Sequence, residues 1–207
     1  MMQKGEVDEA IAECKEAVRL KPNFADGHSQ LGYVLAMKGD VDGAIAECKE
    51  ALRLDPDLVE ARCQLGSALA MKGDMDSAVA EYEKAIRSRP DRAASHDDFG
   101  AVLLGKGDID RAIAEFREVI RLKPDMAEAH LKLGTTLMHK GDMDGALAAA
   151  RQAVRLKPEW AEAHCNLGSV LKDKGDLAGA ISESKEAIRL QPAFGTAHYN
   201  LACYLSL

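Results

Sequence analysis

Aromatic residues are scarce in this 207-residue chain: they make up 4% of it, with a single tryptophan, against 47% hydrophobic residues overall. The apolar content rests on alanine and aliphatic side chains, which favours helices packed through small contacts. With 29% charged residues, the balance is that of a folded chain and not a disordered one. A basic excess is also missing. The net charge of −7 repels phosphate backbones and argues against nucleic acid as a partner. No apolar run is long enough to span a bilayer and none follows Met1, so no membrane partner is expected and a cytoplasmic location is. Paired-cysteine spacing is lacking too. Cys14, Cys48, Cys63, Cys165 and Cys203 form an odd set without a C-x-x-C, which suits free thiols in a reducing compartment.

Proline is the most informative scarcity. Its six copies, Pro22, Pro56, Pro90, Pro124, Pro158 and Pro192, stand 34 residues apart without slippage. Gly32, Gly66, Gly100, Gly134 and Gly168 keep the same step, as do a Lys-Gly-Asp triplet beginning at Lys38 and the alanines from Ala10 to Ala180. Each period reads as two helices. In the cleanest copy the first spans 127–140, with Leu133 and Leu137 four apart on its apolar stripe. The triplet then stops one helix and starts another: glycine accepts the left-handed conformation and aspartate caps the second helix. That second helix, over 142–156, ends before Pro158. Neither helix buries its stripe alone, so neighbouring pairs must stack.

The 34-residue period, with its Leu-Gly, Ala, Ala and Pro columns, resembles the tetratricopeptide repeat (TPR) family. The resemblance implies an all-α fold, a right-handed α-solenoid of stacked antiparallel helix pairs with about twelve helices. It divides the chain, as one array over 1–207, into a half repeat at 1–24, full repeats at 25–58, 59–92, 93–126, 127–160 and 161–194, and a half repeat at 195–207. Two family columns depart from the pattern. The early tryptophan is His28, Arg62, His96, His130, His164 and His198 here. The second-helix aromatic is Cys14, Cys48, Tyr82, Phe116, Ala150 and Ser184, which implies a thinner core and closer helices.

Candidate sites are weighed against the repeat. Gly100 to Gly107 spells all but the last position of a phosphate-binding loop. Yet Gly100, Lys106 and Gly107 recur in every copy, and the intervening Ala-Val-Leu-Leu is helix interior, so no nucleotide site is expected. The histidine column lies on successive repeats, about 10 Å apart by helix packing, and zinc needs nitrogens at about 2 Å. Half-buried imidazoles are therefore expected in place of tryptophan, and His139 is isolated. Cys14 and Cys48 read as small buried hydrophobes, while Cys165 and Cys203 lie on the groove side and within reach of one another. No catalytic constellation breaks the period. Neither cofactor nor metal is expected, and the chain does not read as an enzyme.

Function is sought where columns refuse to repeat. In the resemblance, ligands lie along a concave groove made by the first helices. Its acidic positions here are Asp26, Glu60, Glu128 and Glu162, with Asp97, Asp98 and Asp173 further along. Its polar and apolar positions are Gln30, Gln64, Lys132, Asn166 and Asn200, then Tyr33, Met37, Met71, His139 and Tyr199. Leu207 ends the column of Met37 and Met71, in which Gly105 leaves a gap beside Asp97 and Asp98, so a shallow acidic notch is expected there. The acid excess suits a protein or peptide segment bearing Lys or Arg. The first-turn acids also favour the helix dipole irrespective of any ligand. A clamp for a C-terminal carboxylate lacks its basic partners.

The expected function is a non-catalytic interaction scaffold. The alternative is an interaction segment of a larger enzyme, for example a transferase, with its catalytic domain elsewhere. Lys4 to Leu207 makes six periods, so the tail of one copy is in phase with the head of another. Val7, Ile11 and Val18 at one end, and Leu201, Tyr204 and Leu205 at the other, are expected to form exposed apolar stripes for end-to-end or swapped self-association. A fragment of a longer array accounts for the same ends.

Overall fold

The computed structural model describes residues 4–206. It divides into two compact units between Lys106 and Gly107. The first holds α1 (Lys4–Leu20), α2 (Ala25–Lys38), α3 (Val41–Leu54), α4 (Val59–Lys72), α5 (Met75–Ser88) and α6 (Ala93–Lys106). The second holds α7 (Ile109–Leu122), α8 (Ala127–Lys140), α9 (Met143–Leu156), α10 (Ala161–Asp173), α11 (Leu177–Leu190) and α12 (Gly195–Leu205). Among the described residues there is no strand, and no helix is long and apolar enough to cross a membrane.

Local chemistry sets the helix boundaries. Gly39, Gly73, Gly107, Gly141 and Gly175 are the described residues with positive φ, between 84° and 90°. That conformation ends an even-numbered helix, and few side chains other than glycine tolerate it. The adjoining aspartate caps the next helix: Asp40 accepts from the Gly43 amide at 3.0 Å, and Asp142 from the Gly145 amide at 2.9 Å. The lysine of the triplet reaches back to an aspartate of the preceding odd-numbered helix, as in Lys38–Asp8 (2.8 Å), Lys72–Asp42 (2.7 Å) and Lys140–Asp110 (2.6 Å). These pairs are exposed and contribute little singly; they tie one repeat to the next in register.

Within each unit every helix packs on its chain neighbours, and successive even-numbered helices also touch. The repeat alanines carry the closest contacts: Ala44, Ala78, Ala146 and Ala180 have no exposed surface. In the first unit Tyr82 fills the space between α4 and α5 and stacks on Phe99, ring centroids 5.6 Å apart. Phe116 is the other aromatic at that position; where the residue is small, the expected closer approach is only partial. A methyl group added at Gly168, opposite Ser184, would lie 3.2 Å from the Ala180 carbonyl. The matching distance is 3.4 Å at Gly66, opposite Tyr82, but 3.5 Å at Gly134, opposite Ala150. Alanine-rich α9 fills that space with Ala149 and its own backbone, so the helices need not close.

Candidate functional site

The first unit presents one well-shaped concavity on its even-numbered helices, with a volume of about 470 Å³. Its floor is Gly32, Cys63 and Ser95, and its apolar wall is Tyr33, Met37 and Met71 with Ala36 and Ala94. Charged residues stand at its edge: Glu60, Arg92 and Asp98. Tyr33, Met37 and Met71 are 46%, 45% and 56% exposed, unusual values for large apolar side chains. The floor is held rigid by polar contacts. Ser29 donates to Gln64 Oε1 at 2.6 Å, and Cys63 Sγ lies 3.3 Å from Ser95 Oγ.

Sequence reading named six of these lining residues (Tyr33, Met37, Glu60, Gln64, Met71 and Asp98) and missed Arg92. Its guanidinium pairs with Glu60. The signal was present, because Arg92 occupies a column that is otherwise Phe24, Leu58, Met126, Trp160 and Phe194. Asp98 lines the concavity but Gly105 and Asp97 do not, and a methyl group added at Gly105 would meet Met75 Cε at 3.5 Å. The column of Asp97 is mostly interior, since Ser29, Cys63, Leu131 and Cys165 are buried where neighbouring first helices touch. Asp26 and Gln30 are exposed beside a second, shallower depression formed with Glu13, Cys14, Ala17 and Phe24.

In the second unit the expected acids meet bases. Glu128 accepts from Lys157 at 3.2 Å, and Asp173 from Lys172 at 3.0 Å. Lys132 lies over the Phe116 ring, 6.0 Å from its centroid, and Glu162 is exposed. Asn166 and Asn200 are turned into the packing: Asn166 donates to Thr135 Oγ1 at 3.0 Å, and Asn200 to Cys165 Sγ at 3.3 Å. His139 and Tyr199 are exposed. The acid excess of the groove therefore belongs to the first unit. Arg92 and Lys157 make it smaller than the column count suggests.

The expected self-association stripes are also reduced. Ile11 is 6% exposed and Tyr204 5%, because α1 packs on α2 and α12 on α10 and α11 along those faces. The Tyr204 hydroxyl donates to Ser169 Oγ at 3.4 Å. Val7, Val18 and Leu201 are half-buried, and Leu205 is 64% exposed. Leu207 lies outside the described residues. All five cysteines are free. Cys48 is fully buried, and burial pushes its thiol up to about 12; Cys14, half-buried, is raised in the same direction. Neither resembles an activated nucleophile.

The histidine column is structural in a way its spacing did not reveal. Each imidazole donates from Nε2 to the carbonyl of the proline six residues earlier, at 2.9–3.0 Å for His28, His96, His130, His164 and His198. His28 Nδ1 also lies 2.7 Å from Glu47 Oε2, and His164 Nδ1 2.6 Å from Glu183 Oε2. Arg62 makes both contacts with one guanidinium, to Glu81 and the Pro56 carbonyl. Contrary to the half-buried expectation, His96 and His164 are buried and His198 is exposed. At His28, Arg62 and His164 the side chain thus staples the turn between repeats to the following odd-numbered helix. Among the described residues no group of His, Cys, Asp or Glu is placed to hold a metal ion.

Stability should depend on pH at His28. Burial pushes its pKa down, but the hydrogen bonds to Glu47 and the Pro22 carbonyl, with the charges of Glu47 and Glu50, outweigh it and leave His28 above its ordinary value. Both nitrogens face acceptors, and only the imidazolium donates from both. A raised folded-state pKa gives stability that is complete below the unfolded value near 6.5 and fades as pH rises through the folded one. His28→Ala is expected to lose up to about 1 kcal/mol at acidic pH and less at alkaline pH. His28→Arg, copying Arg62, is expected to flatten the dependence in thermal melts. A larger loss at alkaline pH would reverse the assignment.

Comparison with known proteins agrees with this architecture. Models described as Tetratricopeptide repeat match residues 98–161, and residues 59–92 and 161–194; one described as TPR repeat matches 1–39 and 34–73. Among solved structures, YrrB, described as a TPR protein with an unusual peptide-binding site, is 22% identical with a TM-score of 0.72, over 90% of this chain and 96% of that one. MamA from Desulfovibrio magneticus RS-1, from its residue 41 to the end, is 26% identical with a TM-score of 0.74, over 83% and 97%. The APC/C hetero-tetramer Cut9–Hcn1 gives 21% and 0.77, over 97% of this chain and 40% of that one. No curated protein matches the chain. At these identities the YrrB and Cut9–Hcn1 likenesses speak for the fold alone.

Proposed function

We propose a function from one premise: this chain belongs to the tetratricopeptide repeat family. It acts as a non-catalytic interaction scaffold, and its first unit binds a peptide or helical segment in the concavity walled by Tyr33, Met37 and Met71. The observation that carries this reading is an apolar wall of three exposed side chains gathered in one concavity and edged by carboxylates. The preferred segment carries Lys or Arg, because Glu60 and Asp98 at the edge, with Asp26 on the preceding first helix, outnumber Arg92. The free thiols suit action in a reducing cytoplasm.

A random peptide library selected on the immobilised protein tests the reading. Enrichment of basic residues beside an apolar one is expected, with affinity falling about tenfold or more in Tyr33→Ala and Met71→Ser, in line with the loss of a buried anchor. Equal recovery of acidic and basic sequences would remove the charge preference. Binding untouched by both substitutions would remove the site.

A further inference from the structure

Arg92 breaks an otherwise apolar column. The equivalent residues Phe24, Leu58, Met126, Trp160 and Phe194 precede their helices with no side-chain capping bond to the backbone. Arg92 sends its guanidinium across to Glu60, on the preceding first helix, and both line the concavity. Burial works against the guanidinium's charge, but the Glu60 hydrogen bond and the charges of Glu60 and Asp98 favour it. The field at this edge is therefore one that holds cations.

Beside that edge lies the exposed apolar wall. An apolar wall leading to carboxylates matches one side-chain class along its whole length, a flexible hydrocarbon stem with a cation at its tip. Lysine fits better than arginine. Arg92 still occupies this edge once it leaves Glu60, and a compact ammonium with three donors fits beside it where a second planar guanidinium would crowd it.

We infer that the concavity is a receptor for a single lysine side chain of the partner segment, with its stem on Tyr33, Met37 and Met71 and its ammonium at Glu60 and Asp98, and that Arg92 is the resident cation it displaces from Glu60. This rests on the reading of the concavity as a peptide site and adds what enters it. Arg92 thereby sets a threshold: a segment without a cation leaves the Arg92–Glu60 pair closed and gains only the wall.

The test titrates Nα-acetyl-lysine N-methylamide into the full chain labelled with ¹³C at the methionine methyls, reading Met37 and Met71, with Nα-acetyl-norleucine N-methylamide as the uncharged isostere. The lysine probe is expected to shift both methyls and the norleucine probe to bind about fivefold more weakly. Arg92→Met, which installs the residue found at Met126, is expected to raise lysine-probe affinity about two- to fivefold, the range for release of one partly exposed ion pair. Glu60→Gln is expected to lower it by a similar factor. Equal binding of the two probes, or an Arg92→Met variant that melts normally and binds lysine no better, overturns the inference. So do unmoved Met37 and Met71 methyls. In either case library peptides that still bind, and still need Tyr33 and Met71, leave the broader function standing.

Discussion

Tyr82→Ala is expected to cost the first unit about 3–5 kcal/mol, the range for deleting a buried aromatic ring. Tyr82 has no exposed surface, its ring stacks on Phe99, and it lies so close to Gly66 that a methyl group there would come within 2.8 Å of Cε2. Alanine leaves a void that α4 and α5 cannot close without unseating Phe99. The hydroxyl is separable from the ring. It lies 2.6 Å from Ser67 Oγ, and Tyr82→Phe is expected to cost about 1 kcal/mol. Hydrogen exchange at the α4, α5 and α6 amides reads both effects without assuming that the two units unfold together. A Tyr82→Ala loss near 1 kcal/mol would mean that the helices collapse onto the gap.

Gly32→Ala and Gly134→Ala are expected to act in opposite directions although both glycines hold the same repeat position. At Gly32 the new methyl group would lie 2.7 Å from Cys48 Sγ and 3.1 Å from the Ala44 carbonyl. Cys48 has no exposed surface into which to move. Overpacking of this kind costs about 1–3 kcal/mol, against a gain of about 1 kcal/mol in helix propensity. At Gly134 the nearest atom is the Ala150 nitrogen at 3.4 Å, an ordinary contact, so the propensity gain survives and the variant is neutral or more stable. Adding Cys48→Ala to Gly32→Ala is expected to recover part of the loss. Thermal melts in which both single variants lose stability equally would show that this column needs glycine for its backbone and not for its neighbour.

These glycines mark where local chemistry stops being informative. The helix boundaries were legible because they are decided within a few residues. A left-handed glycine at Gly39 and a capping aspartate at Asp40 act on backbone next to them, and the period repeats the instruction. The same logic dismissed the phosphate loop, since Gly100 to Lys106 lies inside α6. It also picked out Tyr33, Met37, Met71, Glu60 and Asp98, because a groove residue free of packing duties is free to vary from copy to copy.

What the period could not say is which faces meet. His28 finds Glu47 nineteen residues on, and Lys72 finds Asp42 thirty back, so charges that read as solvated are spent between helices. Glu128 reads as part of an acidic groove, yet Lys157 lies beside it, and the place of Arg92 in its column does not say that its guanidinium reaches Glu60. The same holds at Gly105: how much room a missing side chain leaves depends on the neighbour, here Met75. The sequence by itself determined the repeat, the helices and their punctuation, because torsion and capping are local. Only the tertiary structure decided the pocket, its single arginine and which glycines are indispensable, because those depend on what a stacked helix presents across a few ångströms of space.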